Sequence, residues 1–132
     1  MSEELPHDPQ SKRPHPRPMD APFLDLDLMR ELEQLQREPE WNGGHNAKTI
    51  AKYDDFRIVL GALKADARIA EHHSEGRISI QTIRGHIRVR ALGRTFDLPA
   101  GRLLTLDRGV RHEVEALEES AFLLTIAWPG RR

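Results

Sequence analysis

The chain has 132 residues, 38% of them hydrophobic and 31% charged, which fits one soluble domain with some length left for a tail. Against 21 acidic residues stand 20 basic ones, so the formal charge is -1 and no overall field draws the chain to nucleic acid or to a membrane. Cysteine is absent, which excludes disulfides, thiol catalysis and thiolate metal sites and suits a reducing cytoplasm.

Residues 1–22 contain Pro6, Pro9, Pro14, Pro16, Pro18 and Pro22 and almost no large apolar side chain. Such a segment cannot bury enough surface to offset its ordering entropy, so a disordered or extended tail is expected, with His7 and His15 solvated in it. Over residues 24–38, Leu28, Leu32 and Leu35 recur at i, i+4 and i+7 and line one helix face. Asp25 or Asp27 serves as N-cap and Pro39 stops the helix. The expectation is an amphipathic helix within residues 23–40, packed on the domain of residues 45–132, with a loop at residues 41–44 between them. No apolar run approaches the roughly 18 residues of a spanning helix, and the N-terminus lacks a signal-peptide layout, so a cytoplasmic protein is expected.

The rest reads as strands. Residues 47–52 alternate lysine with small apolar residues, as an edge strand does. Residues 56–64 are rich in β-branched and aromatic side chains, with Gly61 a candidate bulge. Residues 67–73 carry alanines that suit a helix, but the short connection from Lys64 favours a strand after an Ala65-Asp66 turn. Period two is clear in residues 77–83, where Ile78, Ile80 and Thr82 alternate with Ser79, Gln81 and Ile83. A hairpin partner follows at residues 86–92, then strands at 95–98 and 103–106, one beginning at His112, and the apolar run 122–128, covered on both faces. Gly85, Gly93, Gly101 and Gly109 supply the turns. Strands spaced by about eight to twelve residues with turn signals between them define an all-β sandwich or barrel.

The segment GRLLTLDRGVRH, from Gly101 to His112, resembles the second signature of the cupins, G-x5-P-x-G-x2-H-x3-N. Gly101, Gly109 and His112 fall in place, Asp107 stands where the pattern has proline, and Ala116 stands where it has asparagine. The first signature, roughly G-x5-H-x-H-x3,4-E-x6-G, aligns when its last glycine is set on Gly85. His73 then takes the second histidine position, Glu71 replaces the first histidine, and Ile78 replaces the glutamate. The likeness spans residues 56–128. It implies a double-stranded β-helix, the jelly-roll barrel of the cupins, with a small-molecule pocket inside it near His112 and pairing into a homodimer, for which Gln81 lies on an outward face.

Glu71 and His73 are two apart on a predicted strand and so share a face, with His72 pointing the other way. With His112 they form a two-histidine, one-carboxylate set suited to a divalent metal such as Fe, Mn, Zn or Ni. A bulge at the Ser74-Glu75-Gly76 turn would reverse the parity and bring His72 inward, giving a His72 and His112 pair with no nearby carboxylate. Two functions follow. One is a metal-dependent enzyme, dioxygenase- or isomerase-like, with His73 and His112 as ligands and Glu71 or His72 as a third. The other is a metal-free barrel that binds a small ligand or regulates, which the missing glutamate and asparagine favour. HExxH, P-loop, dinucleotide and GxSxG patterns are absent.

Overall fold

The computed structural model describes residues 17–128. Of the disordered or extended tail expected over residues 1–22, residues 1–16 fall outside them, while residues 17–22 are described and lie against β1. Among the described residues one helix, α1 (Leu28–Arg37), and a 3-10 turn, Pro39–Gly43, precede nine strands. These are β1 (His45–Tyr53), β2 (Phe56–Leu63), β3 (Arg68–His72), β4 (Arg77–Arg84), β5 (His86–Ala91), β6 (Arg94–Pro99), β7 (Leu103–Leu106), β8 (His112–Ala116) and β9 (Ser120–Ala127). They form a five-stranded sheet in the order β1-β2-β9-β4-β7 and a four-stranded sheet in the order β3-β8-β5-β6. Every pairing is antiparallel, giving an all-β jelly roll.

Alternation decides which side chains fill the space between the sheets. Ile78 and Ile80 of β4, Ile87 and Val89 of β5, Val114 and Ala116 of β8, and Phe122 and Ile126 of β9 make the main core. The opposite face of the five-stranded sheet is apolar as well. Ile50, Leu60, Ala62 and Ala121 pack there against Leu32 and Leu35 of α1, which are 1% and 0% exposed. The helix begins later than its periodicity alone suggests, because Asp27 rather than Asp25 is the N-cap, its carboxylate accepting from Arg30 N at 3.2 Å. Residues 41–43 continue from Pro39 as a 3-10 turn rather than an irregular loop.

At the outer edge of β1, Lys52 N donates to Met19 O and Tyr53 Oη to Ala21 O, both at 2.8 Å. The chain just before the helix therefore covers part of an edge that would otherwise offer free backbone groups. No helix among the described residues is long and apolar enough to cross a membrane.

Gly61 is not a bulge. The β2–β9 register runs unbroken through the Gly61–Phe122 pair, and the irregularity of β2's other ladder falls between Thr49 and Ala51. The Phe122 ring lies over Gly61, where an added Cβ would stand 2.4 Å from Cζ, so the glycine makes room for an aromatic that fills the core.

The β5–β6 hairpin turns on Leu92 and Gly93, with φ of 55° and 71°. Two successive positive φ values match the twist of the flanking strands, a demand that Asn or Gly meets without steric cost. Leu92 meets it at a cost of about 1 kcal/mol and is 75% exposed, so no burial offsets the strain. Leu92→Asn should raise stability by about 1 kcal/mol, read as a higher urea midpoint at constant slope. A lowered midpoint would show that the exposed leucine has a stabilising role in the turn.

Candidate functional site: a histidine pair at one end of the barrel

Between β3 and β8 the register passes from Ile69↔Val114 to His72↔His112, so Ala70 and Glu71 together oppose a single residue of β8. This is a bulge, and it shifts the alternation by one. Ile69 and His72, three apart, consequently share the inward face. The parity of β3 is thus the reverse of that in an unbroken strand, and the shift occurs within β3 rather than at the Ser74-Glu75-Gly76 turn. Glu71 is turned to Arg111, whose Nε lies 3.6 Å from its carboxylate, both side chains being exposed. Glu71 therefore does not join His112 on the inward face, and His72 does; His73 lies just past the end of β3, exposed, and near enough for its charge to act on His112.

The His72 and His112 rings are in contact, their centroids 4.3 Å apart and their planes tilted by 55°. His112 is 2% exposed, while His72 and His73 are exposed. Each ring of the pair is anchored by Nδ1 on the carbonyl two residues earlier, His72 on Ala70 O at 2.9 Å and His112 on Val110 O at 3.1 Å. A carbonyl only accepts, so Nδ1 carries a proton in both rings, and in the neutral form of each ring Nε2 is a lone pair. Burial pushes the His112 pKa below the ordinary imidazole value, the Val110 carbonyl works against this, and charge on His72 or His73 lowers it further. His112 is thus neutral at neutral pH and an acceptor at Nε2.

The pair belongs to a longer row. His112 lies opposite Ala91 of β5, and Ala91 opposite Arg94 of β6, so His72, His112, Ala91 and Arg94 stand side by side on the inward face at the end of the four-stranded sheet. Arg94 holds its guanidinium over the Phe96 ring, 5.4 Å from the centroid. Arg94 is exposed, and its spacing of two from Phe96 puts both on one face of β6. Near this end lies an open depression of about 430 Å³ bordered by Glu71, Arg90, Leu92, Arg94, Arg111 and Glu113. It is not the interior pocket expected at His112, since neither histidine of the pair borders it.

As a metal centre the site is short of donors. Two imidazoles supply half of a four-coordinate shell. Ile78, at the position where the cupin pattern has glutamate, is a core residue at 4% exposure, flanked in register by Leu106 and Ile126. Among the described residues no group of three or more histidine or carboxylate side chains is arranged to hold an ion.

No protein-family model matches the chain, and no curated protein matches it in sequence. Solved structures do. An RmlC-like cupin from Desulfovibrio desulfuricans aligns over 65% of this chain and 84% of its own at 24% identity and a TM-score of 0.61. A conserved protein of unknown function from Streptococcus pyogenes aligns over 92% of this chain and 100% of its own at 18% identity and a TM-score of 0.66. Salicylate 1,2-dioxygenase from Pseudoaminobacter salicylatoxidans, seen with gentisate, aligns over 75% of this chain and 31% of its own at 18% identity and a TM-score of 0.66. The chain has the cupin fold. It is a small barrel of that class with one helix laid on its outer face.

Proposed function

We propose that the protein binds a small molecule at the end of the barrel marked by His72 and His112, and that the two imidazoles meet it through Nε2. The observation that carries this reading is the double anchoring of the pair. A histidine that merely closes a turn needs one carbonyl bond, whereas two neighbouring rings so held present two lone pairs side by side. His72 is the exposed member, so a ligand meets it first and His112 behind it. The fold hosts both a dioxygenase and a protein of unknown function, so the site rather than the fold supports this reading. A cytoplasmic setting suits a chain without cysteine. Pairing of two copies through the outward face of β4 and β7, where Gln81 and Leu103 are exposed, is part of the same proposal.

The test is a small-molecule screen read by the imidazole signals in proton–nitrogen spectra. Ligands found this way should bind His72→Ala and His112→Gln about tenfold or more weakly, in line with losing a hydrogen bond in a partly desolvated site. His45→Ala, at an exposed position, should bind as the parent does. Unchanged affinity in both variants of the pair would refute the reading.

A divalent ion is the second reading, favoured by the anchoring itself, because metal-bound imidazoles are held in the same way by a bond from the other ring nitrogen. It would require the exposed His73 to turn in as a third donor, with water or ligand completing the shell. Elemental analysis of protein purified without added metal decides it. Stoichiometric metal in the parent and none in His112→Gln supports the ion; the same trace in both removes it.

A further inference from the structure

Resting on the pairing of two copies put forward above, we propose how they meet: β7 of one copy adds beside β7 of the other, antiparallel about a two-fold axis. The two five-stranded sheets then run on as one, and the outward faces that carry Gln81 and Leu103 become continuous.

The two sheets end in four edge strands, β1 and β7 in one and β3 and β6 in the other. Three of the four are guarded against the addition of a further strand. Beside β1, Lys52 N donates to Met19 O at 2.8 Å and Ile50 O accepts from Arg17 Nη1 at 3.2 Å. Strand β3 carries the bulge at Ala70 and Glu71 together with the charge of Arg68. Strand β6 carries Arg94, Asp97 and Pro99. Strand β7, with the sequence LLTL, has neither charge nor proline, its ladder with β4 is regular, and β4 is its one neighbour among the described residues.

The direction of the β7 backbone follows from the residue just before it. Thr82 N donates to Arg102 O at 3.1 Å, so the Arg102 carbonyl faces β4. Successive residues of a strand turn their N–H and C=O to opposite edges. Leu104 and Leu106 therefore bond toward β4, and Leu103 and Thr105 bond away from it. Among the described residues no turn, loop or side chain bonds to the backbone of either. Their side chains are exposed as well, Leu103 at 54%.

A two-fold axis makes each copy offer the other the same patch, so a charged edge would meet its own sign. Strand β7 avoids this. With the axis at Leu104, Leu103 stands opposite the partner's Thr105 and Thr105 opposite the partner's Leu103, and about four backbone hydrogen bonds close between the copies. On the adjoining strand, Ser79 and Gln81 lie in register with Thr105 and Leu103 and add no charge to that face.

The full chain is followed by sedimentation equilibrium and by amide hydrogen exchange at low and high concentration. The parent should dimerise, and exchange at the Leu103 and Thr105 amides should slow at least about tenfold as the dimer fills, while the Leu104 amide is slow throughout. Thr105→Pro removes an N–H that bonds nothing within its own subunit, so the sheet should survive and the dimer weaken at least about tenfold. Thr105→Val keeps the N–H and should pair as the parent does. A parent that stays monomeric at about 0.1 mM overturns the edge contact together with the pairing. A dimer whose Leu103 and Thr105 amides exchange freely, or one that is undiminished in Thr105→Pro, overturns the edge contact and leaves pairing through the outward face in place. Should Thr105→Pro not fold, exchange at these two amides in the parent decides alone.

Discussion

Gly85→Ala should cost at least about 3 kcal/mol and leave little folded protein at physiological temperature. Gly85 has φ of +82°, and a Cβ built there would stand 2.3 Å from Glu119 O and 2.4 Å from Ser120 Oγ. Two penalties therefore add, one conformational and one steric, and the steric partner is backbone that cannot step aside. Relief by movement would break more. Ser120 Oγ accepts from His86 N at 2.9 Å and donates to Glu118 O at 2.7 Å, tying the start of β5 to the start of β9. Gly93→Ala is the control, because φ is +71° there but nothing lies within 4 Å of an added Cβ. It should lose only about 1 kcal/mol. Equal losses in urea titrations of the two variants would show that the crowding at Gly85 carries no energy.

Glu31→Ala should lose about 2–4 kcal/mol, an effect out of proportion to a surface charge. Glu31 sits between α1 and β1, 2.6 Å from Lys48 Nζ and 3.4 Å from Arg17, and Lys48 also donates to Gln34 at 2.6 Å. The Lys48 side chain is 10% exposed and that of Glu31 17%, so removing the carboxylate strands an ammonium with little water to replace it. Restoring shape without charge, as Glu31→Leu with Lys48→Met, should recover most of the loss. The cluster also sets a pH dependence. Burial pushes the Glu31 pKa up, but hydrogen bonds and charge from Lys48 and Arg17 outweigh it and hold it below the ordinary value. A folded-state pKa below the unfolded one gives stability that is complete above the unfolded value and is lost as pH falls through the folded one. Glu31→Gln should flatten this acid limb relative to the parent in urea titrations run at neutral pH and near the ordinary carboxylate pKa. An unchanged acid limb would exclude Glu31 as its source.

Much of the architecture was legible because it rests on period two and on turn chemistry. Residues 77–83, 86–92 and 122–128 alternate or run apolar in lengths that only strands accommodate, and glycines mark the turns between them. Leu28, Leu32 and Leu35 mark the helix for the same reason. The cap was readable to within two aspartates, and geometry chose Asp27. What sequence could not show is the bulge in β3. Ala70-Glu71 contains no glycine or proline, and the extra residue is set by how β8 meets β3, a long-range matter. Since one residue of slip exchanges the two faces, that single feature decides whether Glu71 or His72 joins His112. Gly61 misled in a related way. A glycine in a strand marks either a bulge or a close neighbour, and the neighbour, Phe122, is about sixty residues away in sequence.

Strand β9, the last of the described strands, is the middle strand of its sheet, between β2 and β4. As the polypeptide leaves the ribosome, β2 and β4 emerge with edges that can pair only with a segment not yet made. The seat of α1 is incomplete until Ala121 and Leu123 arrive. Closure waits on contacts between segments far apart in sequence, which makes folding slow and leaves nascent chains open to strand exchange with one another. Truncation after β8 would remove the keystone rather than a fringe.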